Sequence, residues 1–351
     1  MTATTIDILG VTSAMYVETT GARGIRSAVA LDEYRRTFRA GHAPDGVDLG
    51  PVRPVRADDD DGTVKFLLRH ADGLETESVI IPGRGSAGRD RRTLCVSSQV
   101  GCAMGCGFCE TAQMGLMKNL TPAEIVGQWF AARFALDAVI DNIVFMGMGE
   151  PLDNVDAVLA AIRVLTDRNG PAIAPSRITV STVGRDAGIR RLGAALREDR
   201  LGRVQLAVSV NAPNDDIRAS IMPINRATPM AALMNAMLDW AADRRARVLV
   251  EYVCIPGVND ADAHADELCR YLRPLDCTVN VIPYNPRRDS PWPAPDDADV
   301  ARFVDRIAGH GQAVRRRRTH GRAAMAACGQ LGNPAIRRRR FVALGTDGDP
   351  G

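Results

Sequence analysis

No uninterrupted apolar stretch in this sequence approaches the length of about 18 residues that a membrane-spanning helix requires. The N-terminus, Met1-Thr-Ala-Thr-Thr-Ile-Asp7, lacks the basic start and apolar core of a secretory signal. A reducing, cytoplasmic setting is therefore expected, where eight cysteines point to metal or catalytic chemistry rather than structural disulfides. Strong net charge is missing as well: the balance is +2, with 46% hydrophobic and 25% charged residues, as in an ordinary soluble protein. Acidic residues are absent between Arg315 and Arg340, a stretch that holds nine arginines (315 to 318, 322 and 337 to 340). Such a block is either a solvated surface or a phosphate-binding footprint for nucleic acid. Its two runs flank Cys328, which favours a functional role.

The most informative segment present is Cys102-Ala-Met-Gly-Cys106-Gly-Phe-Cys109. Three thiolates on one loop can hold three irons of a cubane iron–sulfur cluster and leave the fourth without a protein ligand, open to a small molecule. The other readings are a zinc knuckle, which wants a fourth ligand nearby, and chance clustering. No histidine or further cysteine follows Cys109 within the next forty residues, which weakens zinc.

The pattern along the chain predicts an α/β fold. Residues 31–39 read as a helix, the run Asp58-Asp-Asp-Asp-Gly62 as a turn or loop, and the segments from Thr63 and from Glu77 as two strands of a hairpin. A glycine-rich connection spans 83–88. From Thr93 strands and helices alternate: strands at 93–98, 142–146, 177–182, 204–210, 248–254 and 278–283, and helices at 121–139, 155–167, 187–197, 230–242 and 261–272. A further helix is expected at 300–309 and a last strand at 312–316. Thr121-Pro-Ala-Glu124 has the cap, first-turn proline and third-position acid of a helix start. Apolar strands with helical crossovers suit a parallel sheet covered by helices, here a partial, six-stranded (β/α)6 barrel with its ligands at the C-terminal strand ends. The expected division is a short N-terminal region with the hairpin at 1–88, the barrel and a catalytic C-terminal segment at 89–333, and a basic tail at 334–351. Gly147-Met-Gly149-Glu150, Ser181-Thr-Val-Gly184, Ser209-Val210-Asn211 and Tyr284-Asn285-Pro each follow a strand. Together they ring one mouth with small residues, a carboxylate and amides suited to a ligand with ribose and amino-acid groups.

These motifs carry a resemblance. The three-cysteine spacing is the signature of radical S-adenosylmethionine (SAM) enzymes. The segments Thr93-Leu-Cys-Val-Ser-Ser-Gln-Val-Gly-Cys102, Thr111-Ala-Gln-Met-Gly115, Asn119-Leu-Thr121, Gly147-Met-Gly-Glu-Pro-Leu152 and Ala326-Ala-Cys-Gly-Gln-Leu331 are similar to the radical SAM RNA adenine methyltransferases of the RlmN/Cfr family. The resemblance implies that Cys102, Cys106 and Cys109 carry a 4Fe–4S cluster, and that Gly149, Glu150, Ser181, Ser209, Val210, Asn211 and Asn285 contact SAM. It also implies that Cys328 carries a methyl group, Cys95 is the second catalytic thiol and Glu77 accepts a proton, with Glu75 the alternative two residues away. Cys254, Cys269 and Cys277 match nothing and read as core or incidental.

An adenine ring carbon is poorly nucleophilic, so direct attack on the SAM methyl should fail. The resemblance implies a two-stage route consuming two SAM molecules: Cys328 first takes a methyl group, which a radical from the second SAM then activates to attack carbon 2 or carbon 8 of an adenine in rRNA or tRNA. Glu77 would remove the ring proton and Cys95 would release the product by forming a disulfide with Cys328. A one-electron reductant such as flavodoxin or ferredoxin is implied, and no membrane. The same chemistry on a non-RNA heteroaromatic substrate is the alternative. The chain departs from the family pattern in a shorter N-terminal region, in Arg322 and Ala323 where acidic residues are usual, and in Asn211 where histidine is common.

Overall fold

The computed structural model describes residues 7–332 apart from 46, 48, 51, 85–89, 245–246, 320 and 322–323. Arg322, Ala323, the Arg337–Arg340 run, most of the glycine-rich connection and the tail expected from 334 lie outside the described residues.

Two helices, α1 (Ser13–Gly21) and α2 (Ser27–Ala40), open the fold. An aromatic row of Tyr16, Tyr34, Phe38 and Trp129 joins them to the helix α4 introduced below, which fastens the N-terminal region to the main body. Three antiparallel strands follow: β1 (Arg56–Asp60), β2 (Thr63–Arg69) and β3 (Glu75–Arg84). The acid run expected to be loop is thus mostly strand. Asp61 and Gly62, with φ of 57° and 70°, make the two-residue turn that an Asp-Gly pair favours. Pairing with β2 then draws Asp58–Asp60 into the sheet despite their poor strand propensity.

β3 pairs antiparallel with β4 (Asp90–Cys95), so hydrogen bonding runs straight across the boundary expected at 88/89. A small ribbon of β5 (Gln99–Val100) and β6 (Lys118–Asn119) carries the cysteine loop and the short α3 (Glu110–Gln113) between its strands. The alternating part then runs α4 (Pro122–Phe130), β7 (Asn142–Phe145), α5 (Val155–Thr166), β8 (Ile178–Thr182), α6 (Asp186–Glu198) and β9 (Gln205–Ser209). It continues with α7 (Asp215–Ile221), α8 (Met230–Arg244), β10 (Val248–Cys254), α9 (Asp262–Leu272), β11 (Cys277–Pro283), α10 (Asp297–Gly309) and β12 (Val314–Arg316). The capping box expected at Thr121–Glu124 is present, with Thr121 N donating to Glu124 Oε2 at 2.9 Å.

One ten-stranded sheet results, in the order β1-β2-β3-β4-β7-β8-β9-β10-β11-β12. The pairs from β4 to β12 are all parallel. All six expected strands are neighbours in sequence order and the short β12 extends them, but β1 and β12 do not pair among the described residues, so there is no closed barrel. Parallel strands in sequential order put their crossover helices on one face when the crossovers share one hand, as such crossovers nearly always do, and α4, α5, α6 and α8 pack each on the next. The C-terminal ends of the strands are left free to build a site.

Candidate active site

The chain leaves β4 at Cys95 and enters the cysteine loop at those strand ends. Gly101 (φ 74°) makes this entry possible, because a Cβ there would stand 1.8 Å from the Gly115 carbonyl oxygen. The loop is stapled from several sides. Gly107 N donates to the Ile221 carbonyl (2.9 Å), Arg287 Nε donates to the Gly107 carbonyl (2.8 Å), and Gln113 Nε2 bonds the carbonyls of Cys106 and Cys109 (3.2 Å each).

Cys102, Cys106 and Cys109 all line one cavity. Gly149, Glu150, Ser181, Ser209, Asn211 and Asn285 line it with them, and Cys328 reaches it from the C-terminal segment. Val210 does not: its side chain is buried in the core, its N–H bonds the Glu251 carbonyl (3.1 Å) and its carbonyl accepts from Arg218 Nε (3.1 Å). Glu150 is buried, and each carboxylate oxygen accepts one backbone N–H, from Leu152 (2.9 Å) and Val183 (2.9 Å). Loss of hydration outweighs those two bonds and lifts its carboxyl to about 7. Asn211 has a left-handed backbone (φ 56°) and its Oδ1 accepts from Val253 N (2.9 Å).

A second cavity adjoins the first through Met146, Ile282, Asn285, Arg317 and Cys328, and here Cys328 meets Cys95. Burial first, then the neighbouring Cys328, pushes the Cys95 thiol up to about 12, with Arg317 opposing. Glu77 lies elsewhere. It faces a third cavity lined by Lys65, Arg288, Met325 and Gly332, where its Oε2 accepts from Gly332 N (3.0 Å) and its Oε1 is 3.8 Å from Lys65 Nζ. Burial raises this carboxyl, and Lys65 pulls against the rise. Glu75 is committed elsewhere, to Arg69 at 2.7 Å. Residues 324–332 contribute to all three cavities and form their common wall. Met325 in that wall has φ of 51°, an unfavourable backbone for a residue with a side chain.

Comparison with known proteins gives one answer throughout. Residues 96–269 match the radical SAM superfamily. The chain is 43% identical over 288 residues (82% of this chain, 78% of the relative) to the probable dual-specificity RNA methyltransferase RlmN 1 of Protochlamydia amoebophila. It is 45% identical over 273 residues (77% and 73%) to the dual-specificity RNA methyltransferase RlmN of Halorhodospira halophila. The crystal structure of a radical SAM methyltransferase from Sphaerobacter thermophilus superimposes with a TM-score of 0.84 at 38% identity, covering 93% of this chain and 99% of that one. The chain belongs to the RlmN family of radical SAM methyltransferases. It is an enzyme that uses SAM in radical methylation.

The family implies a 4Fe–4S cluster and SAM, and the donor set here fits them. Burial raises all three loop thiols, to about 12 at Cys102 and well above the ordinary value at Cys106, so they need a strong local cation to exist as thiolates. Among the described residues no three His, Cys, Asp or Glu side chains gather tightly enough for a single metal ion. A cubane differs in giving each thiolate its own iron, so its ligands stand further apart than those around one ion. The remaining cysteines keep away: Cys254 and Cys277 are buried in the core, Cys269 is half-buried on α9, and none lines the cavity.

Two charged lining residues are not assigned to this cavity from the sequence, which shows Arg317 only within the basic run Arg315–Arg318. Glu251 is buried in the middle of β10, with Asn280 Nδ2 donating to its Oε1 (2.8 Å) and Arg317 Nη1 3.5 Å from its Oε2. A lone carboxylate inside Val248-Leu-Val-Glu-Tyr-Val-Cys254 was the available signal. Arg317 had none, being one of four consecutive arginines.

Proposed function

We propose that this enzyme methylates a carbon of an adenine ring in RNA, carbon 2 or carbon 8, through a methyl-cysteine on Cys328. The observation that carries the reading is the meeting of Cys95 and Cys328, distant in sequence, in one cavity that opens from the cavity of the three-cysteine loop. Cys102, Cys106 and Cys109 would hold the cluster, and Gly149, Glu150, Ser181, Ser209, Asn211 and Asn285 would hold SAM; Val210 would contribute through the backbone turn it shares with Asn211. Cluster and SAM, when bound, supply a one-electron cleavage that yields a hydrogen-abstracting species.

The chain's own groups do the rest. Cys328 sulfur attacks the SAM methyl and becomes a thioether, releasing the demethylated co-substrate. Once one hydrogen has been abstracted, the methylene on Cys328 bonds the adenine carbon, joining protein to RNA. Addition leaves one unpaired electron on the ring. Glu77, its carboxyl raised by burial, takes the ring proton, and that electron passes to a one-electron acceptor such as oxidised flavodoxin, which restores a closed-shell ring. Residues 324–332 stand between Glu77 and the thiols, so this wall must shift for the three groups to meet. Cys95 sulfur then attacks Cys328 sulfur: the S–S bond forms, the S–C bond breaks, and the electron pair left on carbon is protonated to give methyladenine.

Two observations support RNA as the substrate. Relatives at 43% and 45% identity are named RNA methyltransferases. The run Arg315–Arg318 also divides by partner: Arg316 bonds Asp297 and Arg317 pairs with Glu251, whereas the exposed Arg315 and Arg318 have no ion-pair partner among the described residues and are free for phosphate. The test is Cys95→Ala with ribosomal RNA and tRNA, SAM and a one-electron reductant such as flavodoxin. The expected result is a covalent protein–RNA adduct through Cys328, whose mapping gives the nucleotide and carbon. Failure to form an adduct with either RNA, in a variant that still cleaves SAM, overturns the RNA assignment.

A further inference from the structure

Arg218 is the largest fully buried side chain among the described residues, at 0% exposure. Among the described residues it has no carboxylate at ion-pair distance. Its guanidinium spends its donors on neutral oxygens: the carbonyls of Val183 (2.5 Å), Val210 (3.1 Å), Thr228 (3.3 Å) and Ser209 (3.4 Å), and Asn225 Oδ1 (2.8 Å). The nearest acid in this network, Asp215, is one step removed, accepting from Asn225 Nδ2 at 2.8 Å. A buried cation without an anion is costly, and folds rarely keep one unless something offsets the charge.

The placement says what that is. Val183 and Ser209 line the central cavity and Val210 adjoins Ser209 and Asn211, so the fork ties together the ends of β8 and β9. Arg218 lies on α7, whose final residue, Ile221, receives the Gly107 N–H of the cysteine loop. Pro223, just beyond, stands 3.5 Å from where a Cβ on Gly105 would be. A cubane cluster with three thiolates carries net negative charge, and reduction by one electron adds to it.

We propose that Arg218 is a positioning residue for both ligands: its fork holds the ends of β8 and β9 in the shape that receives SAM, and its charge offsets the negative cluster beside Cys106. The inference rests on Cys102, Cys106 and Cys109 being the cluster ligands, so iron content is measured first, and a wild-type chain that takes up no iron overturns both. With reconstituted full-length protein, Arg218→Lys keeps the charge without the fork, and Arg218→Met loses both. SAM affinity should fall about tenfold or more in each. The cluster's reduction potential should stay near wild type in Arg218→Lys and move to more negative values in Arg218→Met, a readout that a merely structural role would leave unmoved. A folded, iron-loaded Arg218→Met protein with wild-type potential and SAM affinity overturns the proposal. Should Arg218→Met fail to fold, wild-type SAM affinity in Arg218→Lys overturns it instead.

Discussion

Cys102, Cys106 and Cys109 share one loop and converge because local backbone makes them: a left-handed Gly101, a short β5–β6 ribbon, and carbonyls tied by Gln113. Cys95 and Cys328 reach the neighbouring cavity by another route. One ends β4, the other follows β12, which is at the opposite edge of the parallel array, and they meet only because the segment after β12 packs back against β3 and β4. The first half of the site is therefore a property of a segment and the second a property of the whole sheet. Each half should also be removable without the other.

The largest effect expected is from Cys106→Ala, which should abolish both cluster retention, read as iron content, and all SAM cleavage. Cys328→Ala should keep the iron and continue to cleave SAM to 5′-deoxyadenosine while losing methyl transfer completely. Loss of iron in the second variant would show that the halves are not independent. Next in size, Glu77→Gln should slow product release on the order of 10²- to 10⁴-fold with SAM cleavage unchanged, since Glu77 lies in neither of the two joined cavities.

The smallest effect concerns Glu150 in the loop half. Its carboxyl is raised to about 7 in the fold, so the folded chain holds the proton more tightly than the unfolded one. The stabilisation this brings is complete below about pH 4.5 and is lost as pH rises to about 7, a span worth ~3 kcal/mol. Glu150→Gln lacks this titration, so its stability relative to wild type, followed by denaturant unfolding of the protein without added SAM, should improve as pH rises through that window. A constant difference would mean that Glu150 is not raised.

Legibility followed the same division. The parallel strands showed themselves because an apolar β-branched run with a helical crossover has a strong local signature, and so did the capped start at Thr121. Asp58–Asp60 misled because their strand exists only through pairing with β2. The helix α1 went unread; its apolar residues show no clear face, and Tyr16 is held by packing on Tyr34. Glu251 and Arg218 were likewise hidden: a charged side chain in a sequence is ordinarily a surface residue, and only the fold shows these two to be buried.

By itself the sequence determined the parallel α/β order and the loop that gathers three thiols, because both depend on contacts between residues close in the chain. The tertiary structure alone decided that Cys95 and Cys328 share a cavity, that Glu77 stands behind the wall of 324–332, and that Arg317 pairs with Glu251. Those juxtapositions are set by strand order, register and burial, which no local window of residues encodes.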